Sequence, residues 1–217
     1  MNPEAFIRAH TALARPALVP EIPLWSATEI TPLWQATEAW LEARDLAPPF
    51  WAFAWPGGQA LARHVLDHPE RVAGRRVLDF AAGGGIAAIA CARAGAASVE
   101  AAEIDPLARA AIALNAAENG VTVTVAADDV LAGPGRWDLI LAGDVCYEAP
   151  MTARILPWLR ARAGTASVIL ADPGRAYLPA GLAELARYTV PTTRELEDRE
   201  TRMVTLYRLA PAHIPEG

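Results

Sequence analysis

The sequence contains no lysine: all 19 of its basic residues are arginine. Its side chains therefore offer no primary amine for modification. With alanine and proline so abundant, the bias reflects genome composition and carries no functional meaning. Cysteine is nearly absent too, with only Cys91 and Cys146. They form no CxxC pair, so neither a zinc knuckle nor a disulfide framework is implied. Reduced thiols suit a cytoplasmic protein. No apolar run reaches the ~18 residues of a membrane span. The N-terminus lacks a basic head followed by an apolar block, so no secretory signal is expected. Positive charge is in deficit, the formal net charge being −6. A protein that grips phosphate backbones carries the opposite sign, so nucleic acid is not an expected partner.

What remains is a chain of 217 residues, 53% hydrophobic and 20% charged, the profile of one folded domain. The first fifty residues are rich in proline (16, 20, 23, 32, 48 and 49). They read as a helical extension over 1–50 packed on a core. Asn2-Pro3 opens one helix, and a second is expected from about Thr31 to Arg44, with Thr31 as its cap and Pro32 in its first turn. From Arg75 onward strands alternate with helices. Strands are expected over 76–80, 98–104, 121–126, 137–142 and 167–171. Helices are expected over 86–94, 106–119 and 150–162. This alternation implies an α/β fold, a parallel sheet with helices on both faces. A further helix is expected near Leu182. Strand-like runs near 188–195 and 202–209 then close the chain as an antiparallel hairpin.

In such sheets ligands bind beyond the carboxyl ends of the strands. The first strand ends in Asp79-Phe80-Ala81-Ala82-Gly83-Gly84-Gly85, where glycines let the backbone approach a cofactor. The second ends at Glu103, placed to accept both ribose hydroxyls of an adenosine cofactor, at the ~20-residue spacing of such units. Residues 83–88 also satisfy a GxGxxA dinucleotide pattern. Two features argue against a dinucleotide. Asp79 stands ahead of the glycines, where it suits a cofactor bearing an amine and a sulfonium better than one bearing phosphates. The chain also has no length for a separate substrate domain. After the third strand, one of Asp128 and Asp129 can accept from an adenine amino group, Asp129 being favoured. After the fourth, Asp144 and Tyr147 can face one site, where a carboxylate and an aromatic ring attract an amine. The segment Trp51 to Gln59 offers a cofactor lid in Trp55. Trp51 is better read as an anchor between extension and core.

Other features carry less. His64 and His68 are spaced i, i+4 but lack a metalloprotease signature, and two partly solvated helix residues are expected; no metal site is implied. Cys146 has no histidine near it in sequence and reads as an inert buried thiol. The mixed-sign run 194–202 reads as a solvated turn.

Taken in order, the segments PPFWAFAWPGGQAL (48–61), VLDFAAGGG (77–85), EIDP (103–106), WDLILAGDVCY (137–147) and ADPGR (171–175) resemble the seven-strand, S-adenosylmethionine-dependent protein-lysine methyltransferases. Within them they are most similar to the branch acting on the electron transfer flavoprotein β subunit. The resemblance covers roughly 19–209. It implies a Rossmann-like, seven-stranded, mostly parallel sheet, with 51–217 as the methyltransferase domain. It further implies that Gly83 and Gly85 bound the cofactor loop, with Asp79 before it. Glu103 would hold the ribose, Asp129 would lie near adenine and Trp55 would cover the cofactor. Asp144 and Tyr147 would place the lysine amine. One departure stands out: Ala81 occupies the position of the loop's usual first glycine. A ribosomal protein is the alternative substrate. A nicotinamide-dependent reductase and a non-catalytic binding module are the rival classes. A bacterial cytoplasm is the expected location, since a mitochondrial relative would carry a longer, more basic leader.

Overall fold

The computed structural model describes residues 2–27, 48–126 and 129–211. The helix expected over 31–44 and the residue Asp128 lie outside them.

A seven-stranded sheet forms the centre, in the order β5-β4-β3-β6-β7-β9-β8. Its strands are β3 (Arg76–Phe80), β4 (Ser98–Ala102), β5 (Thr124–Val125), β6 (Leu139–Gly143), β7 (Ser167–Asp172), β8 (Ala183–Pro191) and β9 (Thr201–Arg208). The pairs from β5 through β7 are parallel, and β9 runs antiparallel to both β7 and β8. Two short strands, β1 (Ala12–Ala14) and β2 (Leu24–Ser26), pair separately.

Strand alternation sorts the core into two layers. Val77, Leu139 and Leu141 point to one face, under α2 (Pro56–Asp67) and α3 (Ile86–Arg93). Leu78, Phe80, Ile140 and Ala142 point to the other, under Ile155 and Leu159 of α5 (Ala149–Arg162). A third cluster joins Phe6 and Ile7 of α1 (Pro3–His10) and Trp51 to Leu107, Ala111 and Leu114 of α4 (Pro106–Glu118). Trp51 is thus the anchor expected of it, 2% exposed.

Two local expectations are corrected. The third strand shrinks to Thr124–Val125, paired with Glu100 and Ala101 of β4, because the chain before it is still tied to the end of α4, Val121 N–H donating to Ala116 O at 3.1 Å. The helix near Leu182 does not form. Gly174 (φ 89°) and Gly181 (φ 75°) flank Pro179 there, and all three oppose a helix. The chain instead turns and enters β8 early, at Ala183.

Candidate active site

The carboxyl ends of β3, β4, β6 and β7 meet at one edge of the sheet, and each carries an acid that holds backbone N–H groups. Asp79 closes β3 on the face that supports α3. That helix begins at Gly85 (φ 82°) with no side-chain cap. Asp79 supplies one from the strand, accepting from Ala88 N–H at 2.8 Å. It is 3% exposed, and burial, reinforced by the nearby Glu103 charge, raises its pKa to about 7. The loop between them turns through two left-handed residues, Ala81 and Gly83, both at φ 54°. Alanine therefore adopts here the conformation that glycine would supply.

Glu103 stands opposite. Its Oε1 accepts from Gly83 N–H at 2.6 Å and its Oε2 from Ile104 N–H at 3.2 Å. Burial pushes its pKa up, and those two bonds oppose the shift. Next to it Ile104 is 83% exposed, although the sequence pattern had placed it in the strand. Because β4 ends at Ala102, Ile104 lies beyond the sheet as a bare apolar side chain at the rim of the glycine loop. The signal for it was an isoleucine directly after the strand-end acid.

Asp144 follows β6 with φ 54°, a strained backbone that aspartate tolerates better than most residues. Its N–H donates to Ala171 O at 3.0 Å. Its Oδ2 accepts from Gly57 N–H at 2.6 Å and Gly58 N–H at 3.3 Å, the open N-terminus of α2. The N-cap residue of α2, Trp55, makes no side-chain capping bond, so an aspartate 87 residues away does so. Gly57 makes this approach possible. A Cβ there would overlap Asp144 Oδ2 and lie 2.9 Å from Ala171 O. The Asp144 side chain is 11% exposed. Burial raises its pKa to about 7, opposed by Arg175 and the Gly57 bond and aided by the charges of Asp172 and Glu197.

An aromatic group gathers where the chain enters α2. Trp55 donates from Nε1 to Phe50 O at 2.7 Å. The ring centroids of Phe50 lie 5.9 Å from both Trp55 and Tyr147, and Phe53 lies 6.1 Å from Trp55. Phe50 and Tyr147 remain about half exposed. Burial raises the Tyr147 pKa, with smaller contributions from Glu148 and Glu103.

Behind Asp144 lies a charged group that sequence reading did not assemble. Asp172 ends β7, and its Oδ1 accepts from Gly174 N–H at 2.7 Å and Arg175 N–H at 2.6 Å. Arg175 reaches Asp144 Oδ1 at 3.4 Å and Glu197 Oε1 at 2.5 Å. Glu197 also holds Arg202 at 2.8 Å. The run 194–202, expected to be solvated, thus carries a glutamate 3% exposed. Its signal in the sequence was Arg175, at the end of the ADPGR segment.

Asp129, after β5, makes contacts of its own. Its Oδ1 accepts from Leu131 N–H at 3.0 Å and its Oδ2 pairs with Arg154 at 2.7 Å. His64 is corrected: it is not partly solvated but 4% exposed, with Nδ1 2.9 Å from Tyr188 Oη, and burial lowers its pKa to about 4. His68 is the partly solvated member of the pair. Cys146 is buried, and burial raises its pKa to about 12. Among the described residues no group of three His, Cys, Asp or Glu side chains could hold a metal ion, and no helix is long and apolar enough to cross a membrane.

The chain is similar in sequence to known methyltransferases. The family model "Ribosomal protein L11 methyltransferase (PrmA)" matches residues 60–144. An electron transfer flavoprotein beta subunit lysine methyltransferase from Xenopus laevis is 36% identical over 219 residues, covering 96% of this chain and 87% of the relative. One of the same name from Danio rerio is 35% identical, covering 93% of this chain and 71% of the relative. In fold, the chain is similar to magnesium protoporphyrin IX methyltransferase from Synechocystis with bound SAH. That likeness has a TM-score of 0.51 and 20% identity, over 70% of this chain and 82% of the other. The strand-end acids, the glycine loop and the relatedness along nearly the whole chain lead to one conclusion: this protein belongs to the S-adenosylmethionine-dependent protein-lysine methyltransferase family that includes the electron transfer flavoprotein beta subunit enzymes.

Proposed function

We propose that the enzyme methylates lysine side chains of the electron transfer flavoprotein β subunit, and that Asp144 and Tyr147 place the lysine amine. The observation that carries this reading is the Asp144 carboxylate, held by the amides of Gly57 and Gly58 directly after Trp55, whose ring and that of Tyr147 both flank the half-exposed Phe50. A fixed carboxylate and aromatic rings suit an amine on a long apolar stem. The relatives' names supply the substrate.

The glycine loop fits an adenosine cofactor. Glu103 is oriented by two backbone N–H groups and keeps lone pairs for two ribose hydroxyls. Ile104 offers an apolar seat for adenine, and Gly83 and Gly85 keep the loop backbone open. Asp79 holds that loop through the first turn of α3, and Trp55 covers the cofactor from α2. Asp129 approaches adenine with the lone pairs left after Leu131 and Arg154. When bound, S-adenosylmethionine supplies a methyl group on a positively charged sulfur that departs as a neutral thioether. The protein's own task is then alignment. Asp144 orients the amine, which attacks in its neutral form with its lone pair and afterwards sheds a proton to water.

The match to the ribosomal-protein family model over 60–144 supports a second reading, methylation of a ribosomal protein. The nicotinamide-dependent reductase is set aside by the family. The two free cysteines support a reducing compartment, the cytoplasm.

The test is incubation with S-adenosylmethionine and either purified electron transfer flavoprotein or ribosomal proteins, followed by peptide mass spectrometry. Because this chain has no lysine, every methyl-lysine detected comes from the target. Methyl-lysine on the flavoprotein β subunit is expected. Asp144→Asn, which keeps an acceptor for Gly57, should abolish it while S-adenosylhomocysteine still binds. Methylation confined to a ribosomal protein would overturn the substrate and keep the chemistry.

A further inference from the structure

We propose that Arg175 is a positioning residue that shares the Asp144 carboxylate, so that the site holds the target amine in its neutral, nucleophilic form. The inference rests on the reading that Asp144 receives that amine.

A lone carboxylate beside an amine stabilises the ammonium, which has no lone pair to give. Asp144 by itself would therefore bind lysine well and react it poorly. The structure supplies a counterweight. The Arg175 guanidinium lies on Asp144 Oδ1 at 3.4 Å, while Oδ2 is occupied by two amides of α2. The carboxylate's charge is already shared when the amine arrives, and a second cation at the same oxygen meets a fixed positive charge. A neutral amine can still donate a hydrogen bond to a remaining lone pair and meets no such repulsion.

Arg175 is built to stay in place. Its own N–H is held by Asp172, and its fork is held by Glu197 at 2.5 and 3.3 Å. Glu197 is in turn held by Arg202, through Nε at 2.8 Å to its carboxylate and Nη2 at 2.9 Å to its carbonyl. The charged groups facing Asp144 come from every neighbouring element. They are Asp172 at the end of β7, Arg175 in the loop after it, Glu197 in the short helix α6 (Arg194–Glu197) and the N-terminus of α2, with Arg202 of β9 paired to Glu197 behind them. With Arg175 present, two guanidinium groups stand against three carboxylates. Without it one stands against three, and an ammonium would be trapped.

The pH dependence of lysine methylation tests this, using Arg175→Gln, Arg175→Lys and the wild type on the target that mass spectrometry identifies. S-adenosylhomocysteine affinity is measured in parallel to confirm an intact cofactor site. In Arg175→Gln the acid limb of kcat should move to higher pH by about one to two units, the scale of a charge a few ångströms away at intermediate dielectric. The rate should therefore fall about 10- to 100-fold near neutrality and recover at high pH. Arg175→Lys keeps the charge and should keep its limb within about half a unit of the wild type. If Arg175→Gln does not fold, Glu197→Gln removes a carboxylate behind the same guanidinium and should move the limb to lower pH. A loss of rate equal at all pH values in Arg175→Gln, or a Lys variant shifted as far as the Gln variant, or an unmoved limb in Glu197→Gln, would overturn the inference. A wild type that methylates no lysine would instead sink the reading of Asp144 on which it stands.

Discussion

Replacing Gly57 by alanine isolates the contact on which the site depends. A Cβ at Gly57 would overlap Asp144 Oδ2, lie 2.8 Å from Asp144 N and lie 2.9 Å from Ala171 O. Two of these three atoms are backbone, at the ends of β6 and β7, and cannot swing aside. Forced overpacking of this kind costs ~1–3 kcal/mol. Moving the carboxylate away also weakens the 2.6 Å bond from Gly57 N–H, and a hydrogen bond to a charged group is worth ~1.5–3 kcal/mol. Alanine returns up to ~1 kcal/mol of helix propensity. The net is a loss of about 1.5–5 kcal/mol, which lowers Tm by roughly 3–20 °C in a domain of this size. Gly58→Ala is the control. A Cβ there meets only the Ile86 Cγ2 methyl, at 3.1 Å, a side-chain atom able to give way. Its Tm should stay within about 3 °C of the wild type. Thermal unfolding at neutral pH, followed by circular dichroism, measures both. Methyl transfer by Gly57→Ala below its Tm should drop with Asp144 displaced. Equal Tm values for the two variants would refute the argument that β6 and α2 meet at Gly57.

Two further outcomes follow from the glycine loop. Ala81→Gly should raise Tm by roughly 1–4 °C, because relief of a left-handed alanine (~1–2 kcal/mol) exceeds the chain-entropy cost of glycine (~0.5–1 kcal/mol); a lower Tm would show that Ala81 is not strained. Asp79 has a folded pKa near 7, above its ordinary 3.8. Its contribution is fully present below the lower value and is lost as pH rises from about 4 to about 7, by up to ~4 kcal/mol. Asp79→Asn keeps an acceptor for Ala88 N–H and carries no charge, so urea unfolding across that window should show a flatter stability profile than the wild type. Equal slopes would mean that Asp79 ionises freely in its buried place.

Much of this molecule is local and therefore readable along the chain. The glycines at 83 and 85, the acids at 79, 103 and 144 and the alternation of strands with helices all follow from short-range pattern, and the sheet order places them at one edge. Failures cluster where long-range contact overrides pattern. Val121 to Val123 are β-branched enough for a strand, but Val121 is tied back to Ala116 at the end of α4 and the ladder to β4 begins only at Thr124. Leu182 sits in an apolar stretch, but glycines at positive φ break it. His64 on α2 is closed off by Tyr188 from β8, 124 residues later. Glu197 looks solvated among charges and is buried by Arg175 and Arg202.

The sequence by itself determined the class of fold, the glycine loop and the identity of the strand-end acids, because each depends on residues near one another in the chain. Only the tertiary structure decided what those acids do for the scaffold. Asp79 caps α3, Glu103 fastens Gly83 and Asp144 caps α2, each spanning 9, 20 or 87 residues. It also decided that Arg175 stands on the same carboxylate as α2. Unsatisfied helix N–H groups and buried charges must find partners wherever the fold brings them, and no local pattern records that pairing.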